Sequence, residues 1–362
     1  MSIKEVKIRE INTSSRFPTF IAFVTKGLEN ISRDEIAETF PNVSFMQVTN
    51  KYIIFTGESV SIKNLIQLKT VDDIHILLWY KRNSSNLSID YIVNSISKGE
   101  LFFALKLVKK IRSVGETFSV TTSKFKNERI NTENLKEIIA KKITNLTDMK
   151  YTPFDHSNFD LRLHIELDNI IFSCKISKNS LYVRFYRECE REGSLKATIG
   201  ASMCRIAACK TGSSIVDNFC GTGTILCEAK MQGLIPYGGD IDSDSVICAQ
   251  KNLEHVFPEG KKNIHTLDAK KSFWPSKFFD CAISNYPWGK QIHLDHASEL
   301  YSKSISEYSR ILKDDGRLVL LGVDNEIIVK YLKKFFPNRR ISSFKIGFLG
   351  QTPWICSALP PQ

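Results

Sequence analysis

The 362-residue sequence predicts an α/β protein: an open, mostly parallel sheet over 189–362, preceded by two smaller α+β units over 1–85 and 86–188. Three observations carry this. From about residue 192, five apolar strand-like segments alternate with helical ones, the rhythm of right-handed crossovers and of a sheet covered on both faces. The first of those strands ends in Asp217 and runs through Gly221-Thr222-Gly223 into a helix. Before residue 192 hairpins and helices are mixed, with a polar stretch, NSSNLS at 83–88, that suits a linker.

In the first unit, TFIAFVTKG reads as a strand. ISRDEIAETF has apolar residues at helical spacing behind a Ser32–Glu35 capping box. VSFMQVTNKYIIFTGE is a hairpin turning at Asn50-Lys51, followed by a helix, SIKNLIQLK, and a strand, IHILLWYKR. In the second unit, IDYIVNSISKGELFFALKLVKKIRS is a basic helical stretch and ETFSVTTSKF a β-branched strand. NTENLKEIIAKKITNL is a helix opened by Asn131 or Thr132 with Glu133. DLRLHIELDN and IIFSCKISKN form a hairpin, and LYVRFYR closes the unit as a strand. The helix SLKATIGASMCRIAAC leads into the third unit, with strands at 213–219, 236–242, 263–268, 279–286 and 316–323. Helices are expected near 223–232, 243–255, 298–313 and 325–336. RRISSFKIGFLGQTPWICSAL then makes two antiparallel strands around Gly350 on the sheet edge.

Apolar residues make up 42% of the chain, too many for a disordered protein. No stretch nears the ~18 apolar residues of a membrane span, and the N-terminus lacks the apolar core of a signal peptide. A soluble, cytoplasmic protein is expected. The nine cysteines, all from Cys174 onward, include no CxxC pair. Neither a zinc site nor a disulfide framework is expected, and the thiols are read as free. The net charge of +11 is concentrated: 101–150 holds 11 Lys/Arg against 5 Asp/Glu, and 301–362 holds 10 against 5. Two basic patches in a neutral background suit a nucleic acid, with solvated helix faces as the alternative. Lys109, Lys110, Arg112, Lys124 and Lys126 are the candidate RNA contacts of the first patch.

The segment SSIVDNFCGTGTILCEA is a strand, a two-glycine turn and a helix start, where backbone N–H groups can approach a ligand. Leu226 stands where a dinucleotide fingerprint wants a small residue, and no Lys-Ser/Thr follows as in a phosphate loop. An Asp217…Gly221-x-Gly223 turn suits S-adenosylmethionine (SAM). Asp240 ends the next strand about 20 residues on, placed to accept from ribose hydroxyls. Asp268 ends the third, near the adenine amine. Asp242 is read as a helix cap.

The fourth strand exits as AISNYPWGK. Asn–x–Pro–aromatic suits methyl transfer to an exocyclic amine. Such a nitrogen is a poor nucleophile because its lone pair is delocalised into the ring. Two acceptors holding its N–H bonds out of plane localise that pair: the Asn285 side-chain oxygen and the Tyr286 carbonyl. Pro287 biases Tyr286 toward extended geometry, and Trp288 offers a face for the target base, worth about 1–3 kcal/mol by stacking. Lys290 follows, either on the target phosphate or in solvent.

At these residues the sequence resembles the THUMP-domain RNA methyltransferases, specifically the tRNA guanosine-N2-methyltransferases of the acceptor stem. VDNFCGTGTILCEA is similar to the family's Asp-Pro-x-Cys-Gly-Ser-Gly-Thr-Ile-Leu segment, AISNYPWGKQI to Asn-x-Pro-Tyr-Gly, and GSLKATIGASMCRIA to the helix before the catalytic sheet. TFSVTTSKF, DLRLHIEL and LYVRFYR resemble a THUMP domain. The resemblance implies a Rossmann-like class I methyltransferase domain behind a ferredoxin-like unit and a THUMP domain. It implies SAM contacts from Asp217, Gly221, Gly223, Asp240 and Asp268, with Thr198 near the SAM carboxylate. It implies target-amine roles for Asn285, Tyr286, Pro287 and Trp288, and a flipped guanosine at tRNA position 6. Asn218 and Ala197 replace prolines of the family, and Trp288 its commoner Tyr. The alternatives are a guanosine at position 10 or in another RNA, an N6-adenine methyltransferase, and an RNA-binding protein with an inactive catalytic domain.

Overall fold

A computed structural model describes residues 10–12, 17–58, 60–82, 88–123, 132–153, 156–166, 169–287, 294–348 and 350–361. The chain divides into two compact units: Met1–Val24 with Arg33–Leu181, and Thr25–Ser32 with Tyr182–Gln362.

Up to Lys175 the elements are β1 (Glu10–Asn12), β2 (Thr19–Phe23), α1 (Glu29–Thr39), β3 (Ser44–Val48), β4 (Tyr52–Thr56), α2 (Ile62–Leu65), β5 (Asp73–Arg82), α3 (Ile89–Asn94), α4 (Lys98–Val108), β6 (Thr117–Ser123), α5 (Thr132–Thr147), β7 (Lys150–Tyr151), β8 (Asp160–Ile165) and β9 (Asn169–Lys175). Their strands form one sheet in the order β3-β4-β2-β5-β9-β8-β6-β7, with β1 also paired to β5. Strand alternation sends Phe20, Ile53, Ile74, Ile76, Leu161 and Phe172 to a core shared with Leu101, Leu135 and Ile139 of the helices. Each such burial contributes about 1.5–3 kcal/mol. The expected hairpins, β3–β4 about Asn50-Lys51 and β8–β9, are both antiparallel.

Two local expectations are corrected. Ser32 is not a helix cap: it lies buried inside α1, its N–H donating to Leu28 O. The Glu35 carboxylate instead accepts from Lys69 N at 2.8 Å and Thr70 N at 2.9 Å, stapling the 69–70 turn. The basic stretch at 89–113 holds two helices, α3 and α4, because Ser97 accepts from Glu100 N and starts α4 afresh.

The second unit contains α6 (Ala197–Ala207), β10 (Ser214–Asp217), α7 (Thr224–Met231), β11 (Ile235–Asp240), α8 (Ser243–Glu254), β12 (Ile264–Thr266), β13 (Phe279–Asn285), α9 (Leu294–Ile311), β14 (Leu312–Gly322), α10 (Asn325–Phe335), β15 (Arg340–Lys345) and β16 (Trp354–Leu359). The sheet order is β12-β11-β10-β13-β14-β16-β15, parallel through β14, with the expected antiparallel hairpin at its edge. Both faces are covered. Ile215, Cys281, Ile283, Val319 and Leu321 pack in one core. Val216, Ala282, Leu318 and Leu320 pack in the other. This explains why the strands read as continuous apolar runs. LYVRFYR is not a strand: residues 182–187 turn, and Arg184 and Tyr186 fold onto Glu228 of α7.

Candidate active site

Sequence order along the sheet reverses between β10 and β13. In open α/β sheets ligands bind at the carboxyl ends of the strands at such a switch. Asp217, Asp240 and Asn285 are the last residues of β10, β11 and β13.

Asp217 is 1% exposed, and its Oδ1 accepts from Phe219 N at 3.0 Å and Ser284 Oγ at 2.6 Å. Burial pushes its carboxyl up to about 7; the Ser284 and Phe219 bonds pull against that rise and the charge of Asp240 adds to it. Asp240 Oδ2 accepts from Gly221 N at 2.9 Å. Asp242 caps α8 as expected, accepting from Asp244 N and Ser245 N. Asp268 is two residues past β12, with Lys270 Nζ 3.5 Å from its carboxylate. Thr198 is wholly buried in α6, its carbonyl accepting from Ser202 Oγ.

The glycine turn is shaped by two positive φ angles, +49° at Gly221 and +79° at Gly223. A Cβ on Gly223 would sit 3.1 Å from Ala249, whereas one on Gly221 would meet nothing within 4 Å. Gly223 is the N-cap of α7, with no side-chain cap bond. The bulk of Leu226 is met from the strand side: a Cβ on Gly238 of β11 would lie 2.6 Å from it. Helix and strand thus approach closely through a glycine the fingerprint does not include. Beside the turn, Asn218 Oδ1 accepts from Trp274 Nε1 at 2.9 Å, while its buried Nδ2 has no partner. An orphan buried donor costs about 1–3 kcal/mol, so the site suits a ligand with an acceptor there.

Two buried residues that sequence reasoning missed, Asn252 and Glu228, brace the turn and the helix that follows it. Asn252 uses its full hydrogen-bonding capacity: Oδ1 accepts from Glu188 N and Cys189 N, and Nδ2 donates to Cys189 O and Thr222 O. Glu228 of α7 pairs with Arg184 at 2.8 Å and accepts from Tyr186 Oη at 2.8 Å. The signal was a lone acid, Glu228, directly after the apolar run Ile225-Leu226-Cys227 of α7. The reading of all nine thiols as free is also corrected: Cys189 and Cys248 form a disulfide with Cα atoms 5.4 Å apart, joining this segment to α8. Spacing alone could not show it, because 59 residues separate the two.

At the exit of β13, Tyr286 N donates to Leu321 O at 2.9 Å. The Tyr286 side chain is wholly buried, its hydroxyl on Ser304 Oγ at 2.8 Å and its ring against Phe219 and Tyr301. The phenol therefore anchors the turn and leaves only its main chain for a substrate. Asn285 and Pro287 are half-buried. Trp288 and Lys290 lie outside the described residues, as do Lys124 and Lys126.

Of the other candidate RNA contacts, Lys109 and Lys110 are exposed at the end of α4. Phe102 and Phe103 of the same helix are 45% and 42% exposed, with Lys98 Nζ 5.5 Å from the Phe102 ring centroid. Arg112 turns inward: its guanidinium donates to Ile176 O at 3.1 Å, Asn158 O at 2.9 Å and Asp160 at 3.3 Å. Among the described residues no cluster of His, Cys, Asp or Glu could hold a metal, and no helix is long and apolar enough to cross a membrane.

Residues 184–352 match the family UPF0020, an RMKL-like methyltransferase domain. The second unit thus has the fold of a SAM-dependent methyltransferase, and SAM is the cofactor of that fold. TrmN from Thermus thermophilus is 16% identical, with a TM-score of 0.76 over 95% of this chain and 100% of that one. SMU.472, solved complexed with SAH, is 17% identical, with a TM-score of 0.69 over 96% and 99%. At these identities the likeness is one of fold. The human U6 snRNA (guanine-N(2))-methyltransferase THUMPD2 is 29% identical over 171 residues, 46% of this chain and 33% of that protein. Its Bos taurus counterpart is 28% identical over the same share. The match spans about a third of the length of these relatives.

Proposed function

We propose that the protein is a SAM-dependent RNA methyltransferase forming N2-methylguanosine, with the acceptor stem of tRNA, position 6, as its substrate. One observation carries the reading: the Asn285-Tyr286-Pro287 exit of β13 stands on the strand adjacent and parallel to β10, whose end opens the glycine turn. That adjacency supports a site in which an amide acceptor and a proline-constrained carbonyl lie beside the methyl donor. The cofactor supplies a methyl group on a sulfonium. Asn285 and the Tyr286 carbonyl orient the guanine amine so that its lone pair forms the N–C bond as the C–S bond breaks; the proton leaves to solvent. Orientation and electrostatics supply most of the effect. The guanosine leaves its stack to reach them.

On this reading Asp217 accepts from the cofactor's ammonium, Asp240 from its ribose, and Asp268 or its backbone meets the adenine. Gly221 and Gly223 give backbone access, Thr198 lies toward the carboxylate, and Trp288 stacks on the base. Residues 1–85 form a ferredoxin-like region and 86–188 a THUMP domain that grips RNA, with Lys109, Lys110, Lys124, Lys126 and Lys290 on phosphates. The exposed Phe102 and Phe103, interleaved with lysines on α4, support that surface. The names of the human and bovine relatives favour a second substrate, U6 snRNA. Incubation with labelled SAM and either unmodified tRNA or U6 transcript, with mapping of the modified nucleotide, separates the two. Label in tRNA at position 6 supports the reading, and label confined to U6 replaces it.

A further inference from the structure

A chain of hydroxyls joins the fourth-strand exit to the glycine turn. Ser284, the residue before Asn285, places Oγ 2.6 Å from Asp217 Oδ1 and 2.6 Å from Tyr308 Oη. Tyr308 Oη accepts from Asn218 N at 3.2 Å. Ser284, Asp217 and Tyr308 are all buried. The proton inventory fixes the direction of the chain. An ionised carboxylate only accepts, so Ser284 donates to it. Ser284 then has no second proton, so Tyr308 donates to Ser284 while taking the Asn218 N–H on its own oxygen. Every hydrogen points toward Asp217, and bonds aligned this way reinforce one another in a low dielectric.

We propose that Ser284 and Tyr308 are positioning residues of the cofactor site, holding Asp217 ionised and aimed at the ammonium of the cofactor's amino-acid moiety. The acidity of the site is thereby set from the strand that carries Asn285. This rests on the reading of Asp217 as the ammonium acceptor. The titratable groups acting on or sensing Asp217 are Asp240 at the end of β11, Cys220 in the turn, Cys204 on α6, Tyr286 at the β13 exit and Tyr308 on α9. None of these is a cation. Burial pushes the Asp217 carboxyl up to about 7, and the Ser284 hydrogen bond opposes that rise. Removing the Ser284 hydroxyl therefore raises it further, and the cofactor then meets a protonated acid over a wider range of pH.

The test is calorimetric affinity of the full chain and of Ser284→Ala for two probes at pH 6 to 9. SAM carries the ammonium; 5′-methylthioadenosine keeps the adenosine and sulfur and lacks it. The ratio of wild-type to variant affinity cancels titration of the probe itself. For SAM we expect a ratio of about tenfold at pH 6, the effect of one pKa unit, falling to near one at pH 9. For methylthioadenosine the ratio stays flat. Tyr308→Phe keeps the ring and shifts the SAM ratio in the same direction by about threefold at pH 6, half a pKa unit. It decides the matter alone should Ser284→Ala not fold. A SAM ratio independent of pH, or one matched by methylthioadenosine, overturns the inference and leaves the methyltransferase reading intact. Failure of the wild type to bind SAM at any pH overturns both.

Discussion

Asp240 Oδ2 accepts the backbone N–H of Gly221 at 2.9 Å, tying the end of the second strand of the methyltransferase sheet to the glycine turn that follows the first. The carboxylate thus shapes the turn in addition to the ribose contact proposed for it. Asp240→Ala removes a hydrogen bond to a charged group, worth about 1.5–3 kcal/mol. Calorimetry should show SAM affinity reduced at least about tenfold, by the same free-energy scale. An unchanged dissociation constant would place the ribose elsewhere.

Glu228 is wholly buried with Arg184 and Tyr186 on its carboxylate. Glu228→Ala leaves a guanidinium buried without its counter-charge, at a cost of about 3–5 kcal/mol. The double variant Glu228→Leu/Arg184→Met, which removes both charges and keeps volume, should recover most of the loss. Urea denaturation of the three proteins checks this; equal destabilisation of the single and double variants would show that packing rather than charge governs the site.

His75 and His164 face one another in the first unit, with ring centroids 6.3 Å apart. Burial pushes His164 down to about 3, aided by the charges of His75 and Arg162; burial lowers His75 also, against Asp73. Folded His164 therefore stays neutral down to about pH 3 and His75 is shifted in the same direction, whereas in the unfolded chain both protonate near pH 6.5. The unfolded state therefore binds more protons below that pH, and stability is lost as pH falls from about 6.5 toward 3, by at most about 1.4 kcal/mol per pH unit per imidazole. His164→Phe should flatten this slope in urea titrations between pH 6.5 and 5. A slope identical to wild type would assign the acid sensitivity to other groups.

Phe102 and Phe103 are exposed aromatics on a helix that ends in Lys109 and Lys110. If RNA bases stack there, Phe102→Ala/Phe103→Ala should weaken RNA binding by about 1–3 kcal/mol per base lost without changing its salt dependence. Lys109→Ala should instead lower the slope of log affinity against log salt by about one. Filter binding at several salt concentrations separates the two. Unaltered affinity in both variants would remove α4 from the RNA surface.

The parallel sheet was legible because buried strands and crossover helices impose different periods on the sequence, and because its turns carry glycine and acid at fixed places. For that reason Asp217 and Asn285 were legible as the ends of the two strands flanking the switch point, and Asp240 as the end of the neighbouring β11. Asn252, Arg184 and the Cys189–Cys248 pair were not, because their partners are distant in sequence and leave no local pattern. LYVRFYR alternates like a strand, yet the Arg184–Glu228 pair and the Tyr186 bond turn it toward α7. Ser32 and Glu35 have capping-box spacing, yet α1 begins earlier, with Glu29 accepting from Gly27 N. In each case a tertiary contact outweighed a local preference.

The most direct measurement is the methylated nucleoside recovered from RNA digested after reaction with labelled SAM, for wild type and Asn285→Ala, with RNA affinity measured in parallel. The account predicts N2-methylguanosine from the wild type, none from the variant, and RNA dissociation constants within about twofold, a difference of less than 0.5 kcal/mol. N6-methyladenosine as product, or N2-methylguanosine formed by the variant at the wild-type rate, would contradict it.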